Sequence, residues 1–179
     1  MWSLKLDLLR NWWTWIAAGV TAGLGVMLIR RLVAGKVCQS RASLNGKTVV
    51  VTGASSGIGK ATALELAKRG ARVIMACRDI GKAENAVRDI RRQTNCGQLI
   101  VRKVDLASLK SVRDFAACIC QEEESIHVLI NNAGVYGYPY TLTNDGLEMQ
   151  MAVNHFGHFL LVHLLLDKLK AGVCCLYIA

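Results

Sequence analysis

Apolar residues along this chain fall into two regimes. Residues 12–29 form one uncharged run, WWTWIAAGVTAGLGVMLI. Beyond Leu44, short β-branched runs alternate with longer stretches whose apolar residues recur at helical spacing. Residues 48–51 are a strand pattern with no polar face, as in a parallel sheet buried on both sides. Residues 58–69 predict a helix stopped by Gly70. A second strand follows at 71–77, an amphipathic helix at 79–94, a strand at 98–104 and a helix at 107–124, with Glu122, Glu123 and Glu124 as its solvated end. A fourth strand spans 126–130. The loop 135–144 holds Pro139 amid Tyr136, Tyr138 and Tyr140, a long helix covers 145–171, and a short apolar strand closes the chain at 173–179. This rhythm predicts an α/β fold, a doubly wound parallel sheet of which the N-terminal half is present.

The turn between the first strand and first helix carries the candidate chemistry. TGASSGIG places Gly53, Gly57 and Gly59 as G-x-x-x-G-x-G, with Ser55, Ser56 and Ile58 between them. Glycines let backbone approach a ligand closely, and a new helix offers unpaired N–H groups and a positive dipole end to an anion. The spacing differs from the G-x-G-x-x-G dinucleotide fingerprint, and a tight βα turn without a ligand is the alternative reading.

Charge changes the picture at the N-terminus. The chain carries a net +9, but before Leu44 six basic residues (Lys5, Arg10, Arg30, Arg31, Lys36, Arg41) face one acid, Asp7. Over half of the excess flanks the apolar run, so a membrane explains it and nucleic acid is not indicated. As a helix the run spans about 27 Å, near the roughly 30 Å of a hydrocarbon core. Trp12, Trp13 and Trp15 resemble an interfacial belt, and the basic flank after the run places the remaining chain on the cytosolic side. Residues 1–35 are thus expected to be an anchor with its flanks, 36–46 a linker and 47–179 the nucleotide-binding domain. Arg30 and Arg31, with no small-residue cleavage site, favour a retained anchor over a signal peptide. Gly19 and Gly23 form a G-x-x-x-G pair. Seven cysteines without a C-x-x-C fit a reducing compartment. His155, His158 and His163 read as surface or helix-packing residues.

Five motifs in register, TGASSGIGKATALELAKRGA, ACRD, DLASLKSVR, INNAG and VNHFGHFLL, resemble the short-chain dehydrogenase/reductase family, and closely its membrane-anchored retinol dehydrogenase branch, over residues 44–170. The resemblance implies a Rossmann-type sheet and an NADP(H) cofactor. Gly53 to Gly59 would wrap the pyrophosphate. Strand two of an NAD-type site ends in an acid for the ribose 2′-OH, but here Cys77 precedes Arg78, whose guanidinium suits a 2′-phosphate. Ser56 and Lys60 are possible helpers. Asp105 and Leu106 resemble the pair lining the adenine, and Asn132, Ala133 and Gly134 the turn facing the nicotinamide ribose. Asn154 matches the asparagine that organises the family's proton relay. The resemblance also implies a retinoid or other lipophilic carbonyl or alcohol as substrate, and the endoplasmic reticulum rather than mitochondria as the membrane.

The chemistry of the family needs a serine after strand five and a Tyr-x-x-x-Lys on the next helix. Tyr136, Tyr138 and Tyr140 have no lysine four positions on, and Tyr177 is followed by only two residues. The family-like text stops near Lys170, so the chain reads as a truncated member. Two functional readings follow. One is an NADP(H)-dependent retinol dehydrogenase or retinal reductase that is catalytically incomplete by itself. The other is a membrane-tethered nucleotide-binding or interaction module, pairing as a homo- or heterodimer through the helix from Asp145 and its exposed face of Phe159, Leu160, Val162, Leu164 and Leu166. A half-sheet with an unpaired edge that does not fold stably is a third possibility.

Overall fold

The computed structural model describes residues 2–33, 35, 40 and 42–172. The strand expected over 173–179, with Cys174, Cys175 and Tyr177, lies outside them, as does Cys38. Two compact units divide at Ser40.

The first unit is one helix, α1 (Trp2–Val33). It begins ten residues before the uncharged run, because the leading Leu, Lys and Arg residues are strong helix formers. Residues 14–33 are long and apolar enough to cross a membrane, and none of that stretch is buried. Thr21 directs its hydroxyl to the Ala17 and Ala18 carbonyls, both at 3.0 Å, so the hydroxyl is satisfied within the helix itself.

The second unit contains β1 (Thr48–Thr52), α2 (Gly57–Lys68), β2 (Arg72–Cys77), α3 (Ile80–Arg91), β3 (Gln98–Lys103), α4 (Leu109–Glu122) and β4 (Val128–Ile130). A final helical stretch comprises α5 (Met149–Met151), a π-helical segment (Ala152–Phe156) and α6 (Gly157–Gly172). The four strands are parallel, in the order β3-β2-β1-β4. Alternation along β1 and β2 sorts side chains to two faces. Val49, Val51, Val73, Met75 and Cys77 pack against alanines of α2 and α3. Val50, Ile74 and Ala76 meet Val112, Phe115 and Ile119 of α4 and the Leu161, Leu165, Leu169 stripe of α6. The sheet is therefore covered on both sides, which is why its central strands lack a polar face.

Three expectations need correction. The acids closing α4 are not simply solvated. Glu123 is buried, and both its oxygens accept from Arg72 Nε at 3.1 Å, with Arg72 Nη2 at 2.8 Å. Arg72 Nη1 also reaches Gln98, its register partner on β3, at 2.6 Å. Next to it, Glu122 accepts from Arg102 at 2.9 and 3.0 Å, which holds its carboxyl below the usual range. Two strand arginines thus use the end of α4 as a pair of acceptors.

The long helix also starts later than its apolar spacing suggests. Asp145 accepts from the Leu109 N–H at 2.8 Å and so serves the first turn of α4. Gly146 then adopts a left-handed φ of 75°, and a short antiparallel bridge joins Leu142 to Glu148. Glu148 caps the Gln150 and Met151 N–H groups where the helix begins. Of the five residues expected on its exposed face only Phe159 is exposed; Leu160, Val162 and Leu164 pack partly on the core and Leu166 is half-buried.

Removing Arg72 leaves a buried carboxylate without its partner, whereas Arg102 and Glu122 are both a third exposed. Arg72→Ala should lower stability by about 2–4 kcal/mol and Arg102→Ala by no more than about 1 kcal/mol. Urea unfolding followed by far-UV circular dichroism, with the chain in mild detergent, tests the contrast; equal losses would contradict it.

Candidate functional site

The strand order places a crevice between β1 and β4, at the carboxyl edge of the sheet where chain direction away from the sheet reverses. A cleft of about 530 Å³ opens there. Its floor is built by close backbone approach. A side chain at Gly59 would stand 2.4 Å from the Gly53 carbonyl oxygen and 2.5 Å from Asn132 Nδ2. Gly53 has a left-handed φ of 67°, and a side chain on it would meet the Ala133 backbone at 2.9 Å. Only glycine fits either position.

The helix ends around the cleft are treated unequally. Asp79 caps α3 by accepting from the Lys82 N–H at 2.9 Å, and Ser108 caps α4 through Ser111 N–H. Ser56, at the same position of α2, makes no side-chain cap. The first-turn N–H groups of α2 therefore keep no side-chain acceptor while facing a glycine-walled cleft. Gly57, at φ 54°, has open space on its missing side chain's side.

Of the residues singled out by sequence, Gly53, Ser55, Ser56, Ile58, Gly59, Arg78, Asp105, Leu106, Asn132, Ala133 and Gly134 line this one cleft. Gly57 and Asn154 do not. Cys77 lies in the wall, and burial pushes its thiol up, so the end of β2 presents a neutral group. Arg78 is exposed and makes no hydrogen bond or ion pair among the described residues. Lys60, expected as a helper, does not line the cleft and is held by Asp89 of α3 at 2.6 Å, a pairing that pulls the Asp89 carboxyl down. Asp105 uses one carboxylate oxygen to accept from Ala107 N–H at 3.0 Å, and Leu106 is buried. Asn154 is wholly engaged with Val135: its Oδ1 accepts from the Val135 N–H and its Nδ2 donates to the Val135 carbonyl, each at 2.8 Å.

These cleft residues have a counterpart in sequence. The short chain dehydrogenase family model matches residues 47–173. The chain belongs to that family, in its retinol dehydrogenase branch. It is 57% identical over 156 residues to human retinol dehydrogenase 13, covering 87% of this chain and 47% of that relative. It is 56% identical to mouse retinol dehydrogenase 11, covering 79% and 45%. The chain thus spans about half the length of the curated relatives it matches. Among solved structures, a metagenomic short-chain oxidoreductase in complex with NADP superposes with a TM-score of 0.61 at 33% identity, over 74% of this chain and 59% of that one.

Sequence reasoning undervalued Thr52 and His158. Thr52 Oγ1 receives the Asn132 and Ala133 N–H groups at 3.0 Å each and lies 2.9 Å from His158 Nε2. A threonine directly after the apolar run at residues 49–51, at the carboxyl end of the strand, was the available signal, because a buried hydroxyl requires partners. Gly157 was likewise not singled out; a side chain there would stand 2.5 Å from the Leu106 carbonyl oxygen, so it sets how closely α6 approaches the cleft.

Gly59→Ala forces the Gly53 carbonyl and the Asn132 amide apart, whereas a side chain at Gly134 meets nothing nearer than Asn154 Oδ1 at 3.5 Å. Gly59→Ala should therefore cost about 1–3 kcal/mol of stability, and Gly134→Ala less than about 1 kcal/mol. Paired denaturation curves of the two variants check this ordering, and a reversal would overturn the packing account.

Proposed function

We propose that this chain supplies the NADP(H)-binding part of a membrane-tethered retinol dehydrogenase or retinal reductase site, and that it does not complete the reaction by itself. The observation that carries the reading is the uncapped amino end of α2 set over a glycine floor, with the unpaired Arg78 at the rim. Phosphate oxygens suit both features: main-chain N–H groups for the pyrophosphate and a guanidinium fork for a 2′-phosphate. Asp79 gives one carboxylate oxygen to the cap of α3 and has Lys82 Nζ 3.9 Å from the other, and Cys77 is a neutral thiol, which leaves the Arg78 guanidinium as the group at the end of β2 with its donors free among the described residues. That favours NADP(H) over NAD(H), in keeping with the NADP-bound structural neighbour.

The cofactor, when bound, gives or accepts a hydride. The residues of this chain hold and orient it: Asn132, Ala133 and Gly134 present small side chains and backbone where the nicotinamide ribose would lie. Proton delivery is a separate requirement. Tyr136, Tyr138 and Tyr140 have no lysine four positions on, and the side chain of Asn154 is used to hold Val135. Loss of a positioned proton donor alone costs about 10²–10⁴-fold in rate. A retinoid alcohol or aldehyde is the substrate class suggested by the relatives' names, and the apolar helix α1 suits a protein that meets such a lipophilic molecule at a membrane. The endoplasmic reticulum is the compartment proposed, with the α/β unit in the cytosol. Completion of the site by a relative bound along α6 is the second reading, favoured by the exposed Phe156 and Phe159.

Fluorescence titration of the full chain in detergent should show NADPH bound more tightly than NADH, and Arg78→Ala should erase about 10- to 100-fold of that preference. Incubation with all-trans-retinal and NADPH should give no retinol above background. Steady turnover would refute the missing proton relay, and equal affinity for the two cofactors would refute the role of Arg78.

A further inference from the structure

The turn that follows β4 hangs from one hydroxyl. Thr52 Oγ1 faces four groups: the Asn132 and Ala133 N–H at 3.0 Å each, His158 Nε2 at 2.9 Å and the Ile130 carbonyl at 3.4 Å. A hydroxyl has two acceptor lone pairs and one proton. The two main-chain amides are obligatory donors, so they occupy both lone pairs. The Asn132 N–H is shared with the Ile130 carbonyl at 3.1 Å, but the Ala133 N–H has no second acceptor among the described residues. A proton on His158 Nε2 would then be a third donor aimed at an oxygen that already serves two, and could be accepted only by shifting the Asn132 N–H onto the Ile130 carbonyl. The arrangement that keeps both amides on the hydroxyl leaves Nε2 bare, receiving the Thr52 proton at 2.9 Å rather than sending it to the Ile130 carbonyl at 3.4 Å. The imidazole proton therefore sits on Nδ1, 3.5 Å from the Asn154 carbonyl.

We propose that His158 is a positioning residue for the Asn132–Gly134 turn: its unprotonated Nε2 orients the Thr52 hydroxyl so that both lone pairs hold the turn, and protonation of the ring releases it. The consequence for cofactor affinity rests on the NADP(H) reading above; the hydrogen-bond assignment does not.

The surroundings agree. His158 and Thr52 are both buried. Burial lowers the proton affinity of the ring, the Asn154 carbonyl opposes that in part, and no charged side chain contributes. From β1 the ring faces Thr52, and from the β4 turn the backbone of Asn132 and Ala133 through that hydroxyl. On the side of the β3–α4 turn, where Gly157 meets Leu106, Asp105 is turned to Ala107. His155, one turn back on its own helix, is exposed against Phe156 and Phe159. The sign follows: an unfolded chain takes up a proton near the ordinary imidazole value, the folded one only at lower pH, so the intact turn is favoured above that value and lost as pH falls through the folded ionisation. A second histidine, His127, is also held neutral, accepting from Thr48 N–H at 3.0 Å, but at the opposite end of β1.

The test uses the full ¹⁵N-labelled chain in detergent micelles without cofactor. Imidazole ¹⁵N shifts at neutral pH should show a bare Nε2 and a protonated Nδ1 on His158. Hydrogen-exchange protection of the Ala133 amide, corrected for intrinsic rate, should fall about tenfold or more as the ring ionises. His158→Gln, whose side-chain oxygen accepts from Thr52, should keep that amide protected with no pH step, and His127→Gln should retain the step. Thr52→Val should remove the protection at every pH while the Val50 amide stays protected. A protonated Nε2 in the folded chain, protection independent of pH, or an unchanged step in His158→Gln would each overturn the proposal. A parallel NADPH titration separates the two readings: a pH-sensitive turn in a chain that fails to bind NADPH supports the hydroxyl hub and removes the cofactor reading.

Discussion

A strand buried on both faces can carry a polar side chain only where every hydrogen-bonding capacity of that side chain is met. Thr52 closes β1 under that constraint, and much of the cleft follows from it. Its backbone carbonyl receives Asn132 Nδ2 at 2.9 Å, its hydroxyl the next two amides, and its far side the His158 ring. One residue thereby joins the central strand, the turn after β4 and the helix that covers them. The glycines act on the same junction from the other side, since Gly53 and Gly59 allow the backbone of the first turn to lie against Ala133 and Asn132. Neither arrangement works without the other.

The electrostatics of the helix starts give the cleft its polarity. Three helices that flank the sheet begin near its carboxyl edge, and two of them neutralise their own exposed N–H groups with Asp79 or with Ser108. The third leaves its donors available, where Gly53 and Gly59 keep side chains out of the way. A folded protein rarely leaves such donors unmatched unless water or a ligand completes them. Arg78 repeats the theme in the same cleft, a guanidinium that makes no hydrogen bond or ion pair among the described residues.

The alternation of β-branched runs with helical spacing was enough to read the sheet, because β1 and β2 are apolar on both faces and each helix has a buried stripe. The glycine turn and the residues beside it were legible for the same reason, since their backbone requirements are written as residue type. What escaped was set by long-range partners. Glu123 reads as a surface acid until Arg72 reaches it from another element, and Asp145 reads as a helix residue until the first turn of α4 claims it. Lys60 is equally well placed in sequence for a phosphate or for Asp89, and only the neighbouring helix decides. His158 looked like one packing residue among three histidines, because its acceptor role depends on the lone-pair count of a threonine 106 positions away.

The π-helical segment at Ala152–Phe156 has its own consequence. Such a segment accommodates one residue more than regular α geometry allows. Here it lets Asn154 turn outward to Val135 while, four residues on, His158 and then Leu161, Leu165 and Leu169 turn inward to the sheet. Each residue advances a helix by about 100°. Length is therefore under stricter control than composition in this stretch: shortening it by a single position would swing the whole leucine stripe around the helix axis, and the outer clamp and the inner seam could no longer be satisfied together.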